Sequence, residues 1–190
     1  PWCNEVAALP VRNFRKTHHP EAWRVDGQRL AEAKVAVYGC PNCTMQCGIA
    51  MLDTEGRESE LDYENVGLLG PNLELYDLQQ VATLNYLCDD FGMDTMSAGG
   101  VLSFYADAIE QGAAEGDLRF GDFAGFRDLL TDIAHRRGPV GNLLAEGTLR
   151  ASRIIGRGSE AYAMQVKGLE VAAYNCKFIP GMALAFGVSP

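Results

Sequence analysis

The sequence lacks a long apolar run, an excess of basic residues and a secretory signal pattern. No stretch of about 18 apolar residues occurs, which argues against a membrane-spanning helix. The formal net charge is −9, and neither nucleic acid nor an anionic membrane surface is expected as the main partner because both bind clustered Lys and Arg. The one basic run, RNFRKTHH at residues 12–19, predicts a short solvated loop. Because a chain of this length does not need disulfides, we expect a reducing, cytoplasmic compartment.

Helical patterns separated by glycines dominate the chain after residue 70. Their apolar periodicities predict four helices, at about residues 74–91, 97–112, 122–138 and 142–156. Asp77 is predicted to begin the first helix and Gly92 to end it. The last segment, from about residue 161, is expected to be irregular or weakly β.

The first seventy residues have a different pattern. They are rich in predicted loops, with short strands expected at residues 33–39 and 48–53. We therefore predict a mainly α fold: a multihelical domain with a loop-rich N-terminal part and little β structure.

Three cysteines lie close together in VYGCPNCTMQCGIAM, residues 37–51. Cys40, Cys43 and Cys47 have the spacing C-x2-C-x3-C. Thiolates bind soft metals, and three of them on one short loop can hold three corners of an iron–sulfur cube. We therefore predict a 4Fe–4S cluster, and the simpler alternative is three free structural cysteines. The fourth ligand is then one of the other cysteines or a residue outside this chain; the candidates here are Cys3, Cys88 and Cys176.

Zinc fits this segment less well than an iron–sulfur cluster. A zinc site generally has two pairs of ligands, and no second pair is visible. The three histidines are not at ligand spacing relative to any cysteine; they are His18, His19 and His135.

A second polar segment, CDDFGMDTMSAGG, spans residues 88–100. Asp89, Gly92 and Asp94 follow the predicted first helix. Carboxylates on a glycine turn can accept hydrogen bonds from the N–H groups of a bound heterocycle. A simpler interpretation is that Gly92 ends the helix while Asp94 or Ser97 caps the next one.

In this order and separation, the two segments resemble the aldehyde:ferredoxin oxidoreductase family, the tungsten or molybdenum enzymes with a bis-pterin cofactor. The resemblance covers essentially the whole chain. It includes three further segments: NEVAALPVRNFR (4–15), DYENVGLLGPNL (62–73) and LLAEGTLRASRIIGRGSEAYAMQVKGLEVAAY (143–174).

The resemblance implies roles for particular residues. The three clustered cysteines match the cluster ligands, and Asp89, Gly92 and Asp94 match the pterin-binding motif D-x-x-G-L-D. Met93 replaces the motif's Leu, a volume-conserving change that should be tolerated. Glu64 matches a glutamate near the metal, where it would transfer a proton or orient water or substrate. Without the resemblance, Glu64 is equally well interpreted as a surface carboxylate.

The resemblance also implies what the full enzyme does. We expect oxidation of a small-molecule aldehyde to a carboxylic acid, with electrons passing through the 4Fe–4S cluster to ferredoxin or another carrier. An iron–sulfur electron-transfer module with separate catalytic partners and a same-family reductase of aromatic thioesters are the alternatives. The sequence leaves tungsten versus molybdenum and the oligomeric state open.

We expect the chain to be a fragment of a longer enzyme, inactive alone, that forms one structural unit. Residues 1–70 would be the iron–sulfur loop region, packed on a multihelical pterin-binding portion at residues 71–190. The family's fourth cluster ligand belongs to a later D-x-x-G-L-C motif, which we expect beyond residue 190. Some relatives carry a Glu-x-x-His metal site in the first helix, and here the matching stretch runs from Thr83 to Tyr86.

Overall fold

The computed structural model describes residues 2–189, and its fold is mainly α as predicted. Within that range it has nine α-helices: α1 Trp2–Glu5, α2 Gly27–Ala33, α3 Tyr63–Leu69, α4 Leu78–Phe91, α5 Thr95–Glu110, α6 Phe123–Ala134, α7 Gly138–Leu144, α8 Thr148–Ile155 and α9 Pro180–Val188. Three 3-10 helices lie between them: Ala22–Val25, Pro71–Leu73 and Ser159–Tyr162. None of the helices in the described range is both long and apolar enough to cross a membrane.

Two small antiparallel sheets complete the described fold. Their strands are β1 Ala36–Tyr38, β2 Gly48–Leu52, β3 Glu58–Leu61, β4 Gln165–Val166 and β5 Leu169–Glu170. The first sheet has the order β1-β2-β3, and the second is the hairpin of β4 and β5. Tyr38 pairs with Gly48 and Ile49 pairs with Leu61, so the loop between β1 and β2 emerges beside the end of β3.

The helices α4 and α5 form the centre of the main core. The Asp77 side chain accepts hydrogen bonds from the first turn of α4, and Gly92 ends that helix with a φ of 67°, as predicted. Leu84, Leu102 and Phe104 are fully buried between these helices and their neighbours. Burying each large apolar side chain stabilises the folded state by about 1.5–3 kcal/mol, so this core is the principal source of stability.

Helix α3 packs closely on α5. A Cβ on Gly99 of α5 would lie only 2.8 Å from the Leu68 carbonyl oxygen of α3. Glycine is therefore needed where the two helices cross. This close contact holds α3, and the loop that precedes it, against the main core.

The prediction of a single fourth helix is wrong, because this part of the chain forms two helices, α7 and α8. Gly147 lies at the break with φ 82° and ψ 165°, a conformation that side-chain-bearing residues rarely adopt. The irregular C-terminal segment also contains a helix, α9, in addition to the β4–β5 hairpin.

The basic run at residues 12–19 is not a solvated loop. Asn13 and Phe14 are buried, and Arg12 and Arg15 form ion pairs with acidic residues of the helical region. The Asn13 Nδ2 atom donates to the fully buried Asp107 carboxylate of α5 at 2.9 Å. The basic side chains therefore compensate acidic groups of this chain, which the sequence pattern alone did not reveal.

Candidate metal and cofactor site

The three clustered cysteines lie on one exposed loop between β1 and β2, the cysteine loop (residues 39–47). The Cys43 N–H donates to the Cys40 carbonyl at 3.0 Å, and Asn42 has a φ of 65°. Pro41 and Asn42 thus occupy the centre of a tight turn that suits them. Cys40, Cys43 and Cys47 are all exposed and free of disulfides.

The three thiols share this loop but do not form a closed ligand set. Within residues 2–189, no three Cys, His, Asp or Glu side chains are grouped so that they could hold a metal ion. The Cys43 thiol instead donates to the Met45 carbonyl at 3.3 Å. Binding of a cluster would require these exposed side chains to turn towards a common centre.

The remaining cysteines differ in their burial. Cys88 is fully buried on α4, and burial, reinforced by Asp89 and Asp94, raises the pKa of its thiol to about 12. A thiol that resists deprotonation is a poor metal ligand. Cys176 is half-buried, and its Sγ lies 3.5 Å from the Tyr174 carbonyl.

The segment predicted to bind a pterin joins α4 to α5. Gly92 takes the left-handed conformation that ends α4, and Asp94 Oδ2 accepts the Ser97 N–H at 2.7 Å to cap α5. The capping roles of the simpler interpretation are therefore present. They leave a second Asp94 oxygen and the Asp89 carboxylate available for other contacts.

A polar cleft of about 190 Å³ lies beside Asp89. We call it the Asp89 cleft; it is lined by Glu60, Asp62, Asn65, Asn85, Asp89 and Thr95. Burial raises the pKa of the Asp89 carboxyl, and a hydrogen bond from Asn85 opposes that shift. The sequence analysis singled out only Asp89 among these residues.

Asn85 is the most deeply buried side chain of this cleft, with an exposed fraction of 1%. Its Nδ2, which carries two hydrogens, has three acceptors within hydrogen-bond distance: Ser59 Oγ at 3.0 Å, the Glu60 carbonyl at 3.0 Å and Asp89 Oδ2 at 3.1 Å. Its Oδ1 is buried and accepts no hydrogen bond from the described residues. The one signal in the sequence was its position four residues before Asp89, on the same face of α4.

Glu60 connects the Asp89 cleft to the cysteine loop. It lines the cleft from β3, and its carboxylate fills the space that a Cβ on Gly48 would occupy. Because Gly48 directly follows Cys47, Glu60 lies against the end of the cysteine loop as well as in the lining of the cleft.

Glu64 lies in the first turn of α3 but is not among the residues that line the Asp89 cleft. Its Oε2 accepts the Ala173 N–H at 2.7 Å. Burial raises the pKa of its carboxyl, the Ala173 bond lowers it, the Asp62 charge raises it and a Tyr174 hydrogen bond lowers it. Glu64 is therefore held in place rather than being a freely solvated carboxylate.

An apolar cavity of about 410 Å³ lies beside the end of the cysteine loop. Its lining includes Cys47 from the loop, Cys3 from α1, and Tyr63 and Val66 from α3. The Tyr63 hydroxyl donates to the Ala173 carbonyl at 2.6 Å, so the two sides of Ala173 contact neighbouring residues of α3.

Comparison with known proteins decides the family. The family described as "Aldehyde ferredoxin oxidoreductase, domains 2 & 3" matches residues 1–190. The chain belongs to the aldehyde ferredoxin oxidoreductase family. The resemblance stated from the sequence is thereby confirmed, and the family is one of oxidoreductases.

Curated relatives of this family are similar over nearly the whole chain. A tungsten-containing aldehyde ferredoxin oxidoreductase of Pyrococcus furiosus is 33% identical over 98% of this chain and 32% of its own length. The protein of that name from Thermococcus kodakarensis is 31% identical with the same coverage. An aliphatic sulfonate oxidoreductase, WOR-like subunit, of Pyrococcus furiosus is 31% identical over 92% of this chain and 30% of its own length. The chain spans about a third of the length of these relatives.

A solved structure shares the fold. The active-site complex BamBC of benzoyl coenzyme A reductase, with 1,5-dienoyl-CoA, matches 90% of this chain and 27% of the other chain. The TM-score is 0.75 and the identity 23%, so the similarity extends to the fold alone.

The helix position where some family members carry Glu-x-x-His has no such ligands here. Thr83 is buried and donates to the Gln79 carbonyl, and the Arg57 guanidinium lies 4.1 Å from the centre of the Tyr86 ring. In this family member the position forms a contact between α4 and the β2–β3 turn.

The residues present fit the family's cofactors in their chemistry. Three exposed thiols are soft donors of the kind that the irons of a cluster take. The unsatisfied Asn85 oxygen and the Asp89 carboxylate are acceptors of the kind that the N–H groups of a pterin would need.

Proposed function

We propose that these residues form the central, mainly helical part of a tungsten- or molybdenum-pterin oxidoreductase that oxidises aldehydes to carboxylic acids and passes electrons to ferredoxin. The observation that carries the proposal is that the end of the loop bearing three free thiols and the Asp89 cleft share one neighbour, Glu60, which lines the cleft and lies against Gly48. Two redox groups that exchange electrons must lie close together, and this arrangement supplies neighbouring positions for them.

The proposed reaction converts an aldehyde and water into a carboxylic acid, two protons and two electrons. The aldehyde C–H bond breaks and a C–O bond to the water-derived oxygen forms. When bound, the metal–pterin group accepts the electron pair and the 4Fe–4S cluster releases it as single electrons.

The chain's own residues would hold these groups and move protons. Cys40, Cys43 and Cys47 would bind three irons, while Asp89 and Asp94 would accept hydrogen bonds from the pterin. Glu64 would take up or deliver a proton, because burial brings the pKa of its carboxyl above the usual range. The Ala173 N–H donates to Oε2 and holds the carboxyl in place for that role.

Anaerobic purification of the full native protein with metal analysis tests this proposal. We expect iron together with tungsten or molybdenum. Zinc without iron would contradict the cluster. Iron with neither tungsten nor molybdenum would favour the alternative, an iron–sulfur electron-transfer module.

Two matched cysteine variants test the ligand assignment. Cys43→Ser should lower the iron content and bleach the cluster's visible absorption, whereas Cys176→Ser should change neither. Equal iron in both variants would contradict the assignment of the cysteine loop. Neither thiol is in a disulfide, so the two variants differ in whether the replaced cysteine lies in the cysteine loop.

Assays on the same preparation separate the substrate alternatives. Aldehyde-dependent reduction of ferredoxin or a viologen dye is expected. The fold shared with the benzoyl coenzyme A reductase complex keeps the reduction of an aromatic thioester as the second candidate. Activity on the thioester without aldehyde oxidation would favour it.

A further inference from the structure

The Asp89 cleft contains a buried polar atom that the fold leaves unsatisfied. Asn85 Oδ1 lies on a side chain that is 1% exposed, and no described residue donates to it. A buried acceptor without a donor lowers the free energy of unfolding by about as much as the loss of a hydrogen bond. Such atoms are therefore rare in native proteins. The atom therefore calls for a partner that the described residues do not provide.

The orientation of the Asn85 amide is fixed by its other end. Nδ2 has three acceptors within about 3.1 Å: a hydroxyl, a backbone carbonyl and the Asp89 carboxylate. Exchanging the amide oxygen and nitrogen would set an oxygen against two acceptors that carry no hydrogen to donate. Oδ1 is consequently the atom that remains free.

We infer that Asn85 is a further pterin-holding residue, whose Oδ1 accepts an N–H of the heterocycle while its Nδ2 orients Asp89. A pterin carries an exocyclic amine and a ring N–H. These groups can donate hydrogen bonds to the Asn85 oxygen and to the neighbouring Asp89 carboxylate. Asn85 and Asp89 lie one turn apart on α4 and both line the Asp89 cleft, so a flat ring bound there would present its adjacent donors to both side chains. The inference rests on the proposed function and adds a residue to it.

The experiment measures how fast the full native protein loses its pterin. Asn85→Ala should raise the first-order rate of loss on anaerobic dilution by roughly two- to tenfold, the effect of about one hydrogen bond. The released pterin is oxidised and quantified by fluorescence. Iron content and thermal unfolding, measured in parallel, report whether the protein remains folded.

Two further variants separate pterin binding from structural support. Ser59→Ala removes one acceptor of the Asn85 amide but leaves Oδ1 in place, so it should lower the unfolding temperature without faster pterin loss. Asn85→Ser also removes Oδ1 but keeps a small polar side chain at this position, so it should lose pterin faster than wild type. Because this comparison is with wild type, it remains informative even if the alanine variant does not fold.

The outcomes distinguish this inference from the proposed function. Wild-type protein without any pterin would overturn both. Wild-type protein with pterin that Asn85→Ala loses at an unchanged rate would overturn the role of Asn85 alone. Equal acceleration by Ser59→Ala and Asn85→Ala would likewise reduce Asn85 to structural support and overturn the inference.

Discussion

Burial governs how the Glu64 carboxyl titrates. Its pKa is raised in the folded protein, so the folded state holds a proton at pH values where the unfolded state has released it. The free energy of unfolding therefore falls as pH rises through this window, which begins near the ordinary Glu pKa of about 4.3.

Replacing Glu64 by Gln removes that pH dependence. The amide oxygen can still accept the Ala173 N–H, and no buried charge forms at high pH. We expect the unfolding temperature of Glu64→Gln relative to wild type to rise with pH above the usual carboxyl range. A Glu64→Gln difference that stays constant with pH would contradict the raised pKa.

The same substitution tests the proposed proton transfer. Positioned acid–base groups typically contribute about 10²–10⁴-fold to a rate, so we expect at least a hundredfold lower kcat for aldehyde oxidation. Metal and pterin contents should remain those of wild type, because Glu64 does not line the Asp89 cleft. Near-normal kcat in fully loaded Glu64→Gln would exclude Glu64 as the proton-transfer residue.

At the level of elements, the conformation of Gly147 separates α7 from α8. With φ 82° and a Cβ position 3.3 Å from Glu170 Oε1, it is poorly suited to any side chain. Gly147→Ala should destabilise the protein by about 1–3 kcal/mol, measured by denaturant unfolding. Gly27→Ala is the control, since its Cβ position is open and its φ is not in the left-handed region. A neutral Gly147→Ala would contradict the strained turn.

The buried Asp107 ties the N-terminal segment to α5. It accepts hydrogen bonds from Asn13 at 2.9 Å and from Arg15 at 3.0 Å. Asp107→Ala should cost about 2–3 kcal/mol, because the buried Asn13 amide loses this partner while Arg15 stays partly solvated. Asp128→Ala removes an exposed partner of Arg127 and should change stability by no more than about 0.5 kcal/mol. Equal effects of the two variants would contradict the structural role of Asp107.

The elements that could be predicted from the sequence are those whose signals are local. Asp77 and Gly92 delimit α4 because caps depend on a few neighbouring residues. The burial of Asn13 and Phe14 could not be predicted, because their partners are some sixty to ninety residues away in the chain. Charge alone made that segment look solvated.

The same distinction applies to the candidate site. The cysteine spacing and the Asp89–Asp94 motif are contiguous, so a pattern could reveal them. Glu60 joins the site only through the pairing of β3 with β2 and the packing of β3 on α4, and such contacts have no local signature. Asn85 had one local signal, its position four residues before Asp89, but every helical residue has a neighbour at that spacing, and the residue was missed.

At the scale of the whole molecule, the described residues leave apolar surface uncovered. Helix α9 buries none of its residues, and Leu184 is 67% exposed. The chain also corresponds to about a third of the length of its curated relatives, and its cysteine loop supplies three thiols where a cluster has four ligand positions.

The 190 residues expressed alone should therefore lack aldehyde oxidation activity and hold little iron. Three thiolates hold a cluster less tightly than four. A partial set of pterin contacts likewise binds the pterin more weakly than the complete set. The measurement is aldehyde-dependent dye reduction and iron per chain, with the full native protein purified anaerobically alongside as the control. Measurable aldehyde oxidation by the 190 residues alone would show that they contain a complete catalytic site, and would overturn the assignment of the fourth cluster ligand and further pterin contacts to other residues of the enzyme.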